Sequence, residues 1–133
     1  AIAEGGETGL EGLGLGYRDK YIFRMALRCA GPEGRGWLER LRESSREEAM
    51  ELLLQEFGIG KKVADCICLF ALHHVDAFPV DTHMKQILAA CYPEGFPFGR
   101  YEGYAGILQQ YLFYYKLRCP QLIPSQVGAS ARK

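Results

Sequence analysis

Apolar residues recur at spacings of three and four along most of the chain, with charged residues between them. Over residues 17 to about 29, Tyr21, Ile22, Met25, Ala26 and Cys29 form one stripe while Arg18, Lys20, Arg24 and Arg28 take the other positions, which predicts an amphipathic helix. Gly31-Pro32 ends it. A short helix carrying Trp37, Leu38 and Leu41 follows. Ser45 with Glu48 three residues on has capping-box spacing and opens a helix containing Met50, Leu53 and Leu54. Gly58-Ile59-Gly60 interrupts the pattern. From 61 to about 73 the chain is apolar nearly all round, as in a helix buried at the centre of a domain. Pro79 cannot continue a helix and restricts Phe78 to extended geometry, so Asp81 becomes the N-cap of a helix over residues 82 to 91. A Pro/Gly-rich loop over 92–99 precedes the last helix, which begins near Gly103 or Tyr104 and reaches about Leu117. No period-2 strand and no internal repeat stands out. The expected class is all-α, with a helix-hairpin-helix motif near residues 46–73.

A chain of 133 residues accommodates one ordinary domain. Four glycines between positions 9 and 16 make residues 1–16 a connecting segment, 17–118 the helical domain and 119–133 a tail. Hydrophobic residues at 48% and charged ones at 24% exclude a fibrous or disordered class. Sixteen basic residues balance sixteen acidic ones, so a nucleic-acid site has to be a local patch. There is no apolar run of membrane-spanning length and no secretory start at Ala1, so the expected location is intracellular, without membrane partners. The five cysteines lack the C-x2-C spacing of zinc or redox sites. Cys66 and Cys68, two apart on a helix, point away from each other, and the adjacent His73 and His74 also lack ligand spacing, which argues against metal catalysis.

The chemistry concentrates after the glycine turn. Gly58 and Gly60 permit a tight turn and close approach of a phosphate to backbone N–H groups, although glycines also serve where two helices merely connect. Lys61 and Lys62 follow at once, where the positive end of the helix and the adjacent like charge both oppose an ammonium. A sequence selected for stability alone places Asp or Glu there. Two roles are open: Lys61 pairing with phosphate, and Lys62, on one stripe with Cys66 and Phe70, acting as an amine nucleophile. Two solvated lysines, and an Asp81 that only caps its helix, are the plainer alternatives.

The joint pattern is more specific. FGIGKKVADCICLFAL over 57–72, followed by DAFPVDTHM over 76–84, resembles the helix-hairpin-helix DNA glycosylases that excise oxidised purines, most closely the 8-oxoguanine DNA glycosylase/AP lyases. The likeness extends to GLGLGYR at 12–18, LERLRESS at 38–45, YAGILQ at 104–109 and Leu112-Phe113, covering roughly residues 12 to 118. The resemblance implies that Lys62 attacks the sugar C1′ and forms a Schiff base that permits β-elimination, with Asp81, nineteen residues on, as the essential carboxylate. It further implies that Gly58, Gly60, Lys61 and His83 hold DNA phosphates. Cys66 and Phe113 would sandwich the extruded base, Gln109 would read its Watson–Crick edge, and Phe70 would line the pocket. Carbonyls of Leu54, Glu56 and Ile59 are the candidate seat of a structural monovalent cation or calcium. No other cofactor is implied, and with only Cys119 in the tail no iron–sulfur cluster is expected.

The implied partner is double-stranded DNA bearing an oxidised purine or an abasic site, met in the cytoplasm or nucleoid of a bacterium or the nucleus of a eukaryote. Phe57 stands where relatives often have proline. About a dozen residues precede the GLGLGYR segment, so the expectation is the C-terminal catalytic part of a longer enzyme, whose apolar faces call for the missing N-terminal part or for self-association. The competing functions are a non-catalytic helix-hairpin-helix DNA-binding module or inactive fragment, and a helical protein-interaction domain.

Overall fold

The computed structural model describes residues 1–119 and 121. Among them the chain is all-helical, with no strand. It divides into two compact units, Ala1–Ala64 and Asp65–Lys133, and the boundary falls inside a helix.

In the first unit, 3-10 turns at Glu7–Leu10 and Gly16–Arg18 precede α1 (Asp19–Ala30), α2 (Gly34–Glu43) and α3 (Arg46–Leu54). The apolar stripe of α1 packs on α2 and on both turns, and α2 packs on α3. Leu10, Trp37, Leu41, Ala49 and Leu53 are buried there, so the Gly-rich leading segment contributes Leu10 to a core. Burying a leucine as completely as Leu53 stabilises by about 2 kcal/mol. The capping box at the start of α3 is complete: Ser45 Oγ accepts from the Glu48 N–H at 3.3 Å, and the Ser45 N–H donates to the Glu48 carboxylate at 2.9 Å. The Ser45 N–H, and after it the Ser45 hydroxyl donating to the same carboxylate oxygen at 2.9 Å, hold the Glu48 carboxyl below its ordinary pKa. Arg28 donates to Glu56 at 3.0 Å and lies 5.1 Å from the Trp37 ring, tying the end of α3 back to α1.

Helix α4 runs Lys61–Phe70, three residues shorter than its apolar run predicts. The Leu72 N–H returns to the Ile67 carbonyl at 3.1 Å and the His74 N–H to the Cys68 carbonyl at 2.9 Å, with His73 left-handed at φ 60°. Nor is α4 buried all round. Ala64, Asp65, Cys68 and Leu69 are buried, whereas Val63 and Phe70 are exposed.

The second unit continues through α5 (Thr82–Cys91), a 3-10 turn at Phe98–Tyr101 and α6 (Ala105–Arg118). Helix α5 packs on α6 around Phe78, Met84, Ile87 and Ala105. The Pro/Gly loop folds its aromatics onto this core: the Phe96 ring stands 4.7 Å from Phe78, 5.0 Å from Tyr92 and 5.5 Å from Tyr101. Burial, then the neighbouring Tyr101 and Cys91, raise the Tyr92 hydroxyl above its ordinary pKa. Gly106 anchors the start of α6. Its N–H donates to the Val75 carbonyl at 2.7 Å, and a Cβ there would stand 2.2 Å from the Ala77 oxygen. Asp76 supports the same junction by accepting from the Gly103 N–H at 2.7 Å. The expected tail, apart from Cys119 and Gln121, lies outside the described residues.

Candidate active site

The turn between α3 and α4 closes through a bond from the Glu56 N–H to the Leu53 carbonyl at 3.1 Å and one from the Ile59 N–H to the Glu56 carbonyl at 3.2 Å. Its two glycines have different reasons to be glycine. Gly58 adopts φ 84°, and a Cβ on it would fall 2.5 Å from Tyr21 Cδ1, so both backbone conformation and packing demand it. Gly60 lies immediately before α4, its carbonyl accepting from the Ala64 N–H at 2.9 Å, and a Cβ there meets nothing within 4 Å. The packing around Gly60 leaves open space where a ligand can reach the helix start. Lys61 and Lys62 are exposed, and the first turn of α4 carries no acidic residue to offset them. First-turn N–H groups, an open glycine and two ammonium groups together make a surface suited to a phosphate. Of the three candidate cation-binding carbonyls, that of Glu56 already accepts one hydrogen bond and keeps a second lone pair; Leu54 is exposed and Ile59 half-buried. Among the described residues no group of three His, Cys, Asp or Glu side chains is arranged to hold a metal ion.

Asp81 is half-buried and caps α5, its Oδ1 accepting from the Met84 N–H at 2.8 Å while its second oxygen keeps its acceptor capacity. His83, exposed on the first turn of α5, meets the edge of the Phe113 ring with centroids 5.7 Å apart. Phe113 itself is half-buried against the α5–α6 core. Gln109 is 3% exposed, and its Nε2 donates to the Pro79 carbonyl at 2.9 Å while its Oε1 accepts from Gln110 Nε2. Both ends of that amide are engaged within the chain. Cys66 is half-buried on α4 and Phe70, one turn on, is 57% exposed. The fold thus brings His83 to Phe113, and Gln109 to the backbone two residues before Asp81. Lys62 belongs to the first unit and Asp81 to the second.

Two residues near the turn escaped the sequence reading. Tyr21, assigned only to the stripe of α1, lies against Gly58 and Phe57, with the Tyr21 and Phe57 rings 5.2 Å apart. Arg24, assigned to the polar face, lies over the Phe57 ring at 4.1 Å. Both contacts span more than thirty positions of sequence, so no local pattern reveals them.

Fold and turn together define an all-α protein of the helix-hairpin-helix kind. No protein-family model matches the chain. An N-glycosylase/DNA lyase of Arabidopsis thaliana is 46% identical over 76 residues, which is 56% of this chain and 21% of that protein. The N-glycosylase/DNA lyase of Saccharomyces cerevisiae is 35% identical over 89 residues, 61% of this chain and 24% of that protein. The crystal structure of the Clostridium acetobutylicum 8-oxoguanine glycosylase/lyase, in complex with double-stranded DNA containing cytosine opposite 8-oxoguanine, superposes with a TM-score of 0.75 at 31% identity, covering 90% of this chain and 43% of that one. The resemblance to 8-oxoguanine DNA glycosylase/lyases holds in both sequence and fold. The chain spans about a fifth to a quarter of the curated relatives it matches.

Proposed function

We propose that this chain is the hairpin-bearing part of a base-excision repair enzyme, a DNA glycosylase with AP lyase activity that removes 8-oxoguanine from double-stranded DNA. The observation that carries the reading is the start of α4, an open glycine followed by two exposed lysines in a segment similar to N-glycosylase/DNA lyases. Lys61 and the N–H groups beside Gly60 hold backbone phosphate, together with Gly58 and His83. Lys62 in its neutral form attacks C1′ of the damaged nucleotide; the N-glycosidic bond breaks and the base leaves with its electron pair, taking up a proton. Opening of the sugar gives an imine, loss of a 2′ proton expels the 3′ phosphate, and water releases the lysine. Asp81 stabilises the positive charge that develops at C1′, while its other oxygen caps α5. Cys66, Phe70, Gln109 and Phe113 form the base pocket, and the carbonyls of Leu54, Glu56 and Ile59 supply a seat for a monovalent cation or calcium. Such an enzyme works where chromosomal DNA is kept, in a nucleoid or a nucleus.

One observation favours a second reading, a helix-hairpin-helix module that binds DNA without excising a base. Gln109 is buried, with one N–H and one lone pair of its amide bonded inside the chain, so reading a base requires the amide to be uncovered and to use its remaining N–H and lone pair. Borohydride trapping on 8-oxoguanine and abasic duplexes separates the two. A covalent adduct that disappears in Lys62→Gln supports the lyase. Binding without any adduct favours the module, and an equal adduct from Lys62→Gln identifies another amine as the nucleophile.

A further inference from the structure

Helix α1 carries two arginines one turn apart, and they are used differently. Arg28 is a structural cation: it is half-buried, donates to Glu56 at 3.0 Å and lies over Trp37. Arg24 is exposed and has no acidic partner among the described residues. Its guanidinium lies 4.1 Å from the centroid of the Phe57 ring, the shortest cation–ring approach among the described residues. Phe57 is itself 48% exposed and immediately precedes Gly58, so the stacked pair flanks the turn whose other side carries Gly60, Lys61 and Lys62. The Tyr21 ring, wedged against Gly58 and 5.2 Å from Phe57, backs the pair from α1.

A guanidinium held over an aromatic face gives none of its five donors to a carboxylate, so the N–H groups turned away from the ring stay free for an acceptor. The ring removes part of the rotamer freedom that a lone surface arginine would lose on binding. The net charge of the chain is zero, so this unpaired cation beside the turn is the local kind of positive site that a neutral protein needs in order to hold a polyanion.

We propose that Arg24, held over Phe57, is a further nucleic-acid contact that takes a backbone phosphate beside the one at the hairpin. The inference rests on the hairpin binding DNA. Phe57 acts through Arg24 as a positioning residue, and the contact carries no base preference, since phosphates are alike in every sequence.

The test is the affinity of the full chain for an 8-oxoguanine duplex and for the same duplex undamaged, measured over a range of salt. Arg24→Gln lowers the slope of log affinity against log salt by about 0.9 and weakens both duplexes by the same factor. Arg24→Lys restores the slope, and Phe57→Leu weakens binding with the slope unchanged. If Lys61→Gln lowers the slope while Arg24→Gln leaves it at the wild-type value, the Arg24 contact is overturned and the hairpin reading stands. A slope restored by Arg24→Lys but an affinity untouched by Phe57→Leu overturns the positioning role of the ring. Wild-type affinity that ignores salt removes the hairpin reading and this contact together.

Discussion

Helices α4 and α5 begin in opposite ways. At α5, Asp81 places a carboxylate on the Met84 N–H at 2.8 Å, which supplies a hydrogen bond and a negative charge where the helix dipole favours both. At α4, Gly60 has no side chain to cap with, and the next two residues are exposed lysines. The capping box of α3 shows that the same chain builds a stabilising start where nothing else is required. The start of α4 therefore differs from those of the two helices that flank it in sequence. Helices α1, α2 and α6 also begin without a side-chain cap, and what sets α4 apart is the pair of exposed lysines in its first turn. A bound anion benefits from that difference: Gly60 puts no side chain on the first-turn N–H groups, which remain available to it beside two exposed lysines.

The largest expected effect tests that difference directly. Lys62→Gln should reduce borohydride-trapped adduct by about 10³-fold or more, the scale of losing a nucleophile, while thermal unfolding leaves the variant as stable as the wild type. An activity loss accompanied by an equal loss of folded protein would make the lysine structural and the contrast with α5 accidental.

The two glycines of the turn give the next effect. Gly58→Ala has to accept a left-handed backbone, at roughly 1–2 kcal/mol, and push aside the Tyr21 ring, at roughly 1–3 kcal/mol; a destabilisation of about 3 kcal/mol is expected in denaturant titration. Gly60→Ala meets open space and should cost below about 1 kcal/mol, yet weaken DNA binding by placing a methyl group in the approach to the helix start. Equal stability losses at both positions would reduce the turn to a connection between helices.

Asp81 separates capping from chemistry with a smaller effect on stability. Asp81→Ala should lower stability by about 1 kcal/mol. Asp81→Asn keeps a good cap and should stay within about 0.5 kcal/mol of wild type, but it removes the charge and with it the trapped adduct. An active Asp81→Asn would leave the aspartate as a cap alone.

How much was legible in the sequence follows from how local each cause is. The limits of α5 were readable because Pro79 and Asp81 act on their immediate neighbours. The all-α class, the capping box and the resemblance of 57–72 to the glycosylase/lyases were equally local or motif-borne. The end of α4 was not. Its apolar run continues past Phe70, and the segment that follows is held by Gly106 and Gly103, through Val75 and Asp76, about thirty positions away. Periodicity also made α4 apolar on every side without saying which sides the chain covers, so the exposure of Phe70 could not be read in advance. At the candidate site, the types and spacing of Lys62 and Asp81 were visible, whereas the bonds that occupy Gln109 and the stacking of Arg24 on Phe57 depend on tertiary contacts.

The smallest effect belongs to the well-built start of α3. Bonds from the Ser45 backbone and side chain hold the Glu48 carboxyl below its ordinary value of 4.5. With the folded-state value lower than the unfolded one, the unfolded chain takes up this proton first as pH falls. The contribution of the box to stability is then complete above pH 4.5 and is lost progressively as pH drops through the lowered folded value. Ser45→Ala should return the Glu48 titration toward its ordinary value, read by NMR of the side-chain carboxyl, and should flatten the acid limb of the stability curve slightly. The Lys62→Gln substitution at α4 should leave that titration where it is, because the box owes its shift to bonds within its own turn.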